Sequence, residues 1–295
     1  MKSFLRMAIG ALLLLCLSCS GGIVRSTRKA PTGQWIDIKI PFMVDGENRT
    51  AGVRAYFPAM YAARGGRTIV LLHNHRGSSR DWSANTDVRR YADEYSIVLV
   101  CPSMGATQYE TNYYPETQTK WDAIPGGKWI VTVLVPFLRE EYGIARERAV
   151  LGVAGIGTGA RGALLVASGN PEMFGAAAGL SGYYDVSVLT RNQALASVYG
   201  SFADFKERWQ RDDNIMELAF NLEKTPVFLA HGDRDTTVPI EQSRLLCIRL
   251  NHLQKRSGGG YVVEYREVRN KSHEWKLWSG VMADMLSFFN TQLKD

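Results

Sequence analysis

Four short, nearly continuous apolar runs, Thr68–His73, Ser96–Cys101, Ala149–Ala154 and Pro226–Ala230, most constrain what this chain can fold into. Runs this short and this uniformly apolar predict parallel strands covered on both faces. Helical stripes separate them. Asn85–Glu94 carries Val88, Tyr91 and Ala92 on one side, Trp129–Tyr142 ends at the helix-stopping Gly143, and Ile240–Leu253 and Leu277–Leu293 follow later. Ahead of the runs, Gln34–Met43 alternates Ile36, Ile38 and Ile40 with Asp37 and Lys39, and Asp45-Gly46 turns the chain back into Gly52–Phe57. The pattern predicts the α/β class: one domain over residues 34–295, with a mostly parallel sheet, helices on both faces and an N-terminal antiparallel hairpin. At 295 residues, 45% hydrophobic and 22% charged, the chain has the apolar content to fill such a core, which excludes a disordered chain.

Residues 1–18 read as a signal peptide: Lys2 and Arg6 precede an apolar stretch too short to span a bilayer comfortably. Cys19, followed by Ser20, Gly21 and Gly22, reads as the lipidated first residue of a bacterial lipoprotein, and residues 19–33 as a flexible tether. The expected location is outside the cytoplasm, on a bacterial membrane through the lipid or, as the alternative, periplasmic or secreted, with an envelope or extracellular protein as a candidate further partner. A formal net charge of +6 without a basic, aromatic-interleaved tract argues against a nucleic-acid partner. Cys101 and Cys247 lack a second ligand at metal-binding spacing and are expected as buried thiols; no metal and no cofactor is expected.

In such sheets the chemistry sits on loops beyond the carboxyl ends of the strands. Those loops read His73-Asn74-His75-Arg76-Gly77, Pro102-Ser103-Met104-Gly105, His231-Gly232-Asp233-Arg234-Asp235 and Ser272-His273-Glu274-Trp275. Between them "GVAGIGTGARG", Gly152 to Gly162, reads as a strand, a tight turn and a helix. Such a turn presents a nucleophile or cradles a phosphate. The second option is respectable on its own: Gly157-Thr158-Gly159-Ala160-Arg161-Gly162 fits the dinucleotide fingerprint, with Asp185 in the place of its acidic residue.

Taken in order, "VRAYFPAMY", "IVLLH", "YSIVLVCPSMG", "LVPFLREEYGI", "RGALLVASGNPEMFGAAAGLSGYYD", "HGDRDTTVP" and "SHEWKLW" resemble the α/β-hydrolases, in the branch of esterase D-like enzymes, feruloyl esterases and secreted mycolyltransferases. The resemblance implies the α/β-hydrolase fold, an acid at Asp235, a base at His273 and an oxyanion donor in the backbone N–H of Thr158. The elbow G-x-S-x-G becomes Gly155-Ile156-Gly157-Thr158-Gly159, so the nucleophile's place holds Gly157. The family's glycine-rich oxyanion loop also departs, with Asn74 in place of a glycine and His75 and Arg76 after it.

These departures favour a noncatalytic binding protein that uses the old cleft for a small ester, glycan or lipid. An ester hydrolase or acyltransferase with an unconventional nucleophile or an activated water stays open. Thr158 and Ser103 are the alternative hydroxyls, although Thr158 is expected to point away from His273. Trp121 and Trp275, beside loop residues, are expected to line the pocket, whereas Trp82 and Trp278 read equally well as core.

Overall fold

The computed structural model describes residues 28–44, 46–118 and 125–294; the expected leader, Cys19 and Trp121 lie outside the described residues. Eight strands form one sheet: β1 (Trp35–Val44), β2 (Glu47–Tyr56), β3 (Thr68–Leu72), β4 (Val98–Pro102), β5 (Leu151–Ile156), β6 (Ala176–Leu180), β7 (Val227–Gly232) and β8 (Val263–Val268). Their order is β1-β2-β4-β3-β5-β6-β7-β8. β2 runs antiparallel to both β1 and β4, and the remaining neighbours are parallel. The opening hairpin therefore forms one edge of an otherwise parallel sheet, as the alternating and continuous patterns require.

The alternation in β1 buries Ile38 and Ile40 and exposes Asp37 and Lys39. Pro41, which cannot donate to a ladder, is tolerated because β1 is the edge strand. Central strands send alternate residues into two cores. Val70, Val100, Val153 and Leu229 face one core, with Leu164 of helix α1 (Thr158–Gly169) and Leu246 of helix α2 (Glu241–Ser257). Ile69, Leu99, Ala154 and Phe228 face the other, against Met285 and Phe289 of helix α3 (Met282–Gln292). A smaller cluster around Tyr199 and Trp209 belongs to the segment that follows β6.

Several expected boundaries shift for local reasons. The run at Ala149 starts its strand at Leu151, because Arg148–Val150 form a tight helical turn first. Leu277–Leu293 is interrupted at Val281 into two helices, Trp275–Gly280 and Met282–Gln292. Helical stretch 126–142 does end at Gly143, which adopts the left-handed conformation, φ 65°.

The link from β5 to α1 brings backbone into close approach. A Cβ on Gly159 would lie 2.5 Å from the backbone oxygens of both Leu72 and His73, so the start of α1 rests directly on the end of β3. Substituting Gly159→Ala forces backbone apart and is expected to cost about 2–3 kcal/mol, lowering the thermal midpoint by roughly 4–12 °C. A calorimetric melt of the variant checks this, with unchanged stability as the contrary result.

Candidate active site

Gly157, between β5 and α1, has φ 53° and ψ −115°, a conformation an L-residue adopts only under strain. Its N–H donates to Leu180 O of β6 at 2.9 Å, which fixes the turn against the neighbouring strand. Three loops meet this turn at the carboxyl edge of the sheet: Asn74-His75 after β3, Asp235 after β7 and His273 after β8.

Asp235 Oδ1 accepts from Thr237 N–H (2.9 Å) and Val238 N–H (2.8 Å), and Oδ2 accepts from His273 Nδ1 at 2.8 Å. A second imidazole, buried His231, places Nε2 3.2 Å from Oδ2 and 3.0 Å from Val238 O, while its Nδ1 lies 2.7 Å from the Ser243 hydroxyl. Burial pushes the Asp235 carboxyl up, but the hydrogen bonds from His231, His273 and Val238 outweigh it and hold the group well below the usual carboxylate range. The ionised carboxylate keeps the His273 proton on Nδ1 and leaves Nε2 as an acceptor facing the cleft.

That acceptor is engaged by Asn74. Asn74 Nδ2 donates to His273 Nε2 at 3.1 Å, while Oδ1 accepts from the backbone N–H groups of His75 (2.8 Å) and Thr158 (3.0 Å). Since both amides are donors and His273 Nε2 is an acceptor, the network admits only this orientation of the carboxamide. The group lies directly over Gly157: a Cβ built there would fall 2.6 Å from Asn74 Cγ. Thr158 N–H, the donor expected at an oxyanion hole, and His75 N–H both converge on a side-chain oxygen of the chain itself. A Gly157→Ser side chain has no room while Asn74 keeps this rotamer.

The cleft beside these groups encloses about 240 Å³. Its wall includes Leu189, Val238 and Pro239, and among the described residues no Asp, Glu, Lys or Arg lines it. Two residues that the sequence did not single out complete the polar floor. Gln108 Nε2 lies 3.3 Å from His75 Nδ1, and its Oε1 accepts from the Tyr183 hydroxyl at 2.7 Å. Tyr183 also lies 3.2 Å from Thr158 Oγ, so that hydroxyl is tied to the floor. Beneath it, buried Arg161 of α1 donates to Gln108 O (2.7 Å), Tyr199 Oη (2.8 Å) and Asp213 O (2.7 Å), joining three segments around the cleft. No motif spacing signals these contacts, because they join loops distant in sequence.

Other expected residues lie elsewhere. Trp275 does not line the cleft; its ring packs edge-on against Trp82 and Trp278, at centroid distances of 6.2 and 5.0 Å, because it opens the helix Trp275–Gly280 and turns inward onto the second core. Trp121 lies outside the described residues. Ser103 N–H pairs with Gly52 O at 2.8 Å beside β2, away from the turn. Both His73 nitrogens are used, Nδ1 toward Asn74 O (2.6 Å) and Nε2 accepting from Met104 N–H (2.8 Å). The dinucleotide reading loses its footing too. Asn74 Oδ1 holds the N–H at the start of α1, Gly162 is required by Tyr109, whose Cβ would lie 2.5 Å from an added Cβ, and Asp185 caps its own turn through Ser187 N–H (3.0 Å).

The chain matches the Esterase family model, described as "Putative esterase", over residues 46–289. A search of curated proteins by sequence finds no match. Among solved structures it is similar to an S-formylglutathione hydrolase from Agrobacterium tumefaciens (TM-score 0.69, 16% identity, 91% of this chain and 98% of that one). FphF, a fluorophosphonate-binding serine hydrolase of Staphylococcus aureus, gives TM-score 0.67 and 15% identity over 88% of this chain and 99% of that one. Mycobacterium tuberculosis MPT51 (FbpC1) gives 0.65 and 18% over 90% and 100%. At these identities the structural likeness establishes the α/β-hydrolase fold.

Glu110, buried below Gln108, accepts from the Gln108 N–H at 3.0 Å, and burial, with the Asp213 charge adding to it, pushes its carboxyl up to about 8. The unfolded chain releases that proton near pH ~4.3, so the stability this group contributes is complete below that pH and falls as pH rises to about 8. Urea unfolding from pH 4 to 9 should therefore show a wild-type slope, approaching ~1.4 kcal/mol per pH unit, that is absent in Glu110→Gln. Parallel curves for the two proteins would contradict the assignment.

Proposed function

Because the chain belongs to the Esterase family, we propose that it is a noncatalytic member in which Gly157 occupies the nucleophile's place and the cleft binds a ligand without covalent chemistry. The observation that carries this reading is the Asn74 carboxamide, which covers the glycine and uses both N–H donors and the histidine nitrogen at once. Ester hydrolysis through a nucleophile needs a hydroxyl within hydrogen-bond reach of its base. Here the group in reach of His273 Nε2 is an amide nitrogen.

The hydrogen-bonded Asp235–His273 pair favours a second reading, hydrolysis by a water that His273 deprotonates. Asn74 opposes it by holding the same nitrogen. Purified protein is expected to form no adduct with a fluorophosphonate and to hydrolyse short acyl esters no faster than His273→Ala. A stoichiometric adduct on Thr158, or turnover that depends on His273, overturns the noncatalytic reading.

The double variant Gly157→Ser with Asn74→Gly supplies the hydroxyl and clears its space. It is expected to gain esterase activity at least ~10-fold above wild type, lost again on adding His273→Ala. Gly157→Ser alone is expected to stay inactive and to melt lower, from the clash with Asn74 and about 1–3 kcal/mol of backbone strain. A folded, inert double variant would remove Asp235 and His273 from this account of the site.

We further propose export and a lipid anchor at Cys19, supported by the charged, apolar and small-residue order of the first residues; among the described residues no helix is long and apolar enough to cross a membrane. Cys19→Ser should abolish metabolic fatty-acid labelling and move the protein out of the detergent phase, and retained labelling sinks the anchor.

A further inference from the structure

We infer that the cleft is a binding site for a small, uncharged primary carboxamide, which displaces the Asn74 side chain and takes over its three hydrogen bonds. The inference rests on the noncatalytic reading and adds the chemical class of the ligand.

Asn74 shows what the site recognises. Two backbone donors, His75 N–H and Thr158 N–H, converge on one sp² oxygen at 2.8 and 3.0 Å, and one acceptor, His273 Nε2, meets an N–H on the same carbon at 3.1 Å. The Asp235 carboxylate holds a proton on Nδ1, so the neutral ring turns its Nε2 lone pair to the cleft, where Asn74 Nδ2, a donor only, meets it. A carbonyl oxygen and an N–H donor on one carbon define an amide. An ester matches the two donors but turns a lone pair toward Nε2; a carboxylate does the same with its second oxygen and brings a charge into a cleft that, among the described residues, no Lys or Arg lines. Leaving His273 Nε2 without its donor should weaken an isosteric ester at least ~10-fold against the amide.

The rest of the cleft sets the tail. About 240 Å³ remains with the Asn74 side chain in place, walled by Leu189, Ala194, Val238 and Pro239, so a short aliphatic chain fits beyond the carboxamide. Gln108 and Tyr183 satisfy one another in the floor and offer the tail no charge. Asn74 competes with any ligand from within the chain, and the apparent affinity of the wild type is reduced by the fraction of molecules with the side chain turned away.

Butanamide, methyl butanoate and butanoate serve as probes by saturation-transfer NMR, with the ¹⁵N shift of His273 Nε2 followed in the same titrations. Asn74→Ala is expected to bind butanamide at least ~10-fold more tightly than wild type does, and at least ~10-fold more tightly than it binds either other probe, with the Nε2 resonance moving on amide addition. Asn74→Gly gives a second test in case the alanine variant fails to fold. The backbone bonds of Asn74 O, from Gly77 N–H (2.9 Å) and His73 Nδ1 (2.6 Å), are available in both. Equal affinity for amide and ester, or no amide binding by a variant shown to be folded by its thermal melt, overturns the inference. Esterase turnover by the wild type would instead overturn the noncatalytic reading, so the two failures are read separately.

Discussion

The carboxamide of Asn74 is the point where the loops around the cleft close on one another. Through three hydrogen bonds it joins the end of β3 to the first turn of α1 and to the loop after β8. Each of those segments is positioned independently: the turn by Gly157 N–H on β6, the helix start by the contact of Gly159 with the end of β3, and His273 by Asp235. The carboxamide joins pieces that the sheet has already delivered to its carboxyl edge. That placement is a consequence of parallel strands, whose loops share one edge.

Behind that closure lies a buried polar layer of unusual composition. Arg161, Asp213 and Glu110 are buried together, with Tyr199 donating to Asp213 Oδ2 at 2.8 Å and Thr111 to Oδ1 at 2.6 Å. Burying a guanidinium is costly unless its N–H groups are paired; Arg161 places Nη1 and Nη2 on backbone oxygens of two different segments and on the Tyr199 hydroxyl, while its buried Nε–H has no hydrogen-bond partner. The gain is positional. Gln108, and through it His75 and Tyr183, is held from below by an element of the central core, so the cleft floor inherits the rigidity of α1.

Much of this was legible in the chain because period and order carry it. Uniform apolar runs announced the buried strands, and the order of loop motifs brought Asp235 and His273 into the same constellation. What stayed hidden is physical in origin. β8, at the sheet edge, has three half-buried residues followed by two exposed ones and lacks the apolar run that marks its neighbour β7. His231 read as part of a loop motif, and nothing in its spacing revealed that it shares a carboxylate with His273. Trp275 stood beside the loop but turns onto two other tryptophans, a matter of helix phase. Asn74 was identified as an intruder in a glycine-rich cradle, and only its rotamer reveals that the intruder satisfies the cradle.

Gly157 and Asn74 are energetically linked. Without a side chain at 157, His75 N–H, Thr158 N–H and His273 Nε2 would face a mostly apolar cleft, and each polar group left unpaired there costs about 1–3 kcal/mol. One asparagine side chain satisfies all three for roughly 1–2 kcal/mol of lost rotamer freedom. A hydroxyl at 157 would pair with His273 alone and would leave the two N–H groups open, which is the condition for stabilising a developing oxyanion. Catalytic readiness in this geometry would therefore mean unsatisfied donors, and the asparagine satisfies them in the act of joining the loops. On the proposed binding reading, an incoming ligand is selected by all three bonds together: a group that replaces only two of them must make up the third from its tail, against a competitor tethered beside the site by the chain itself.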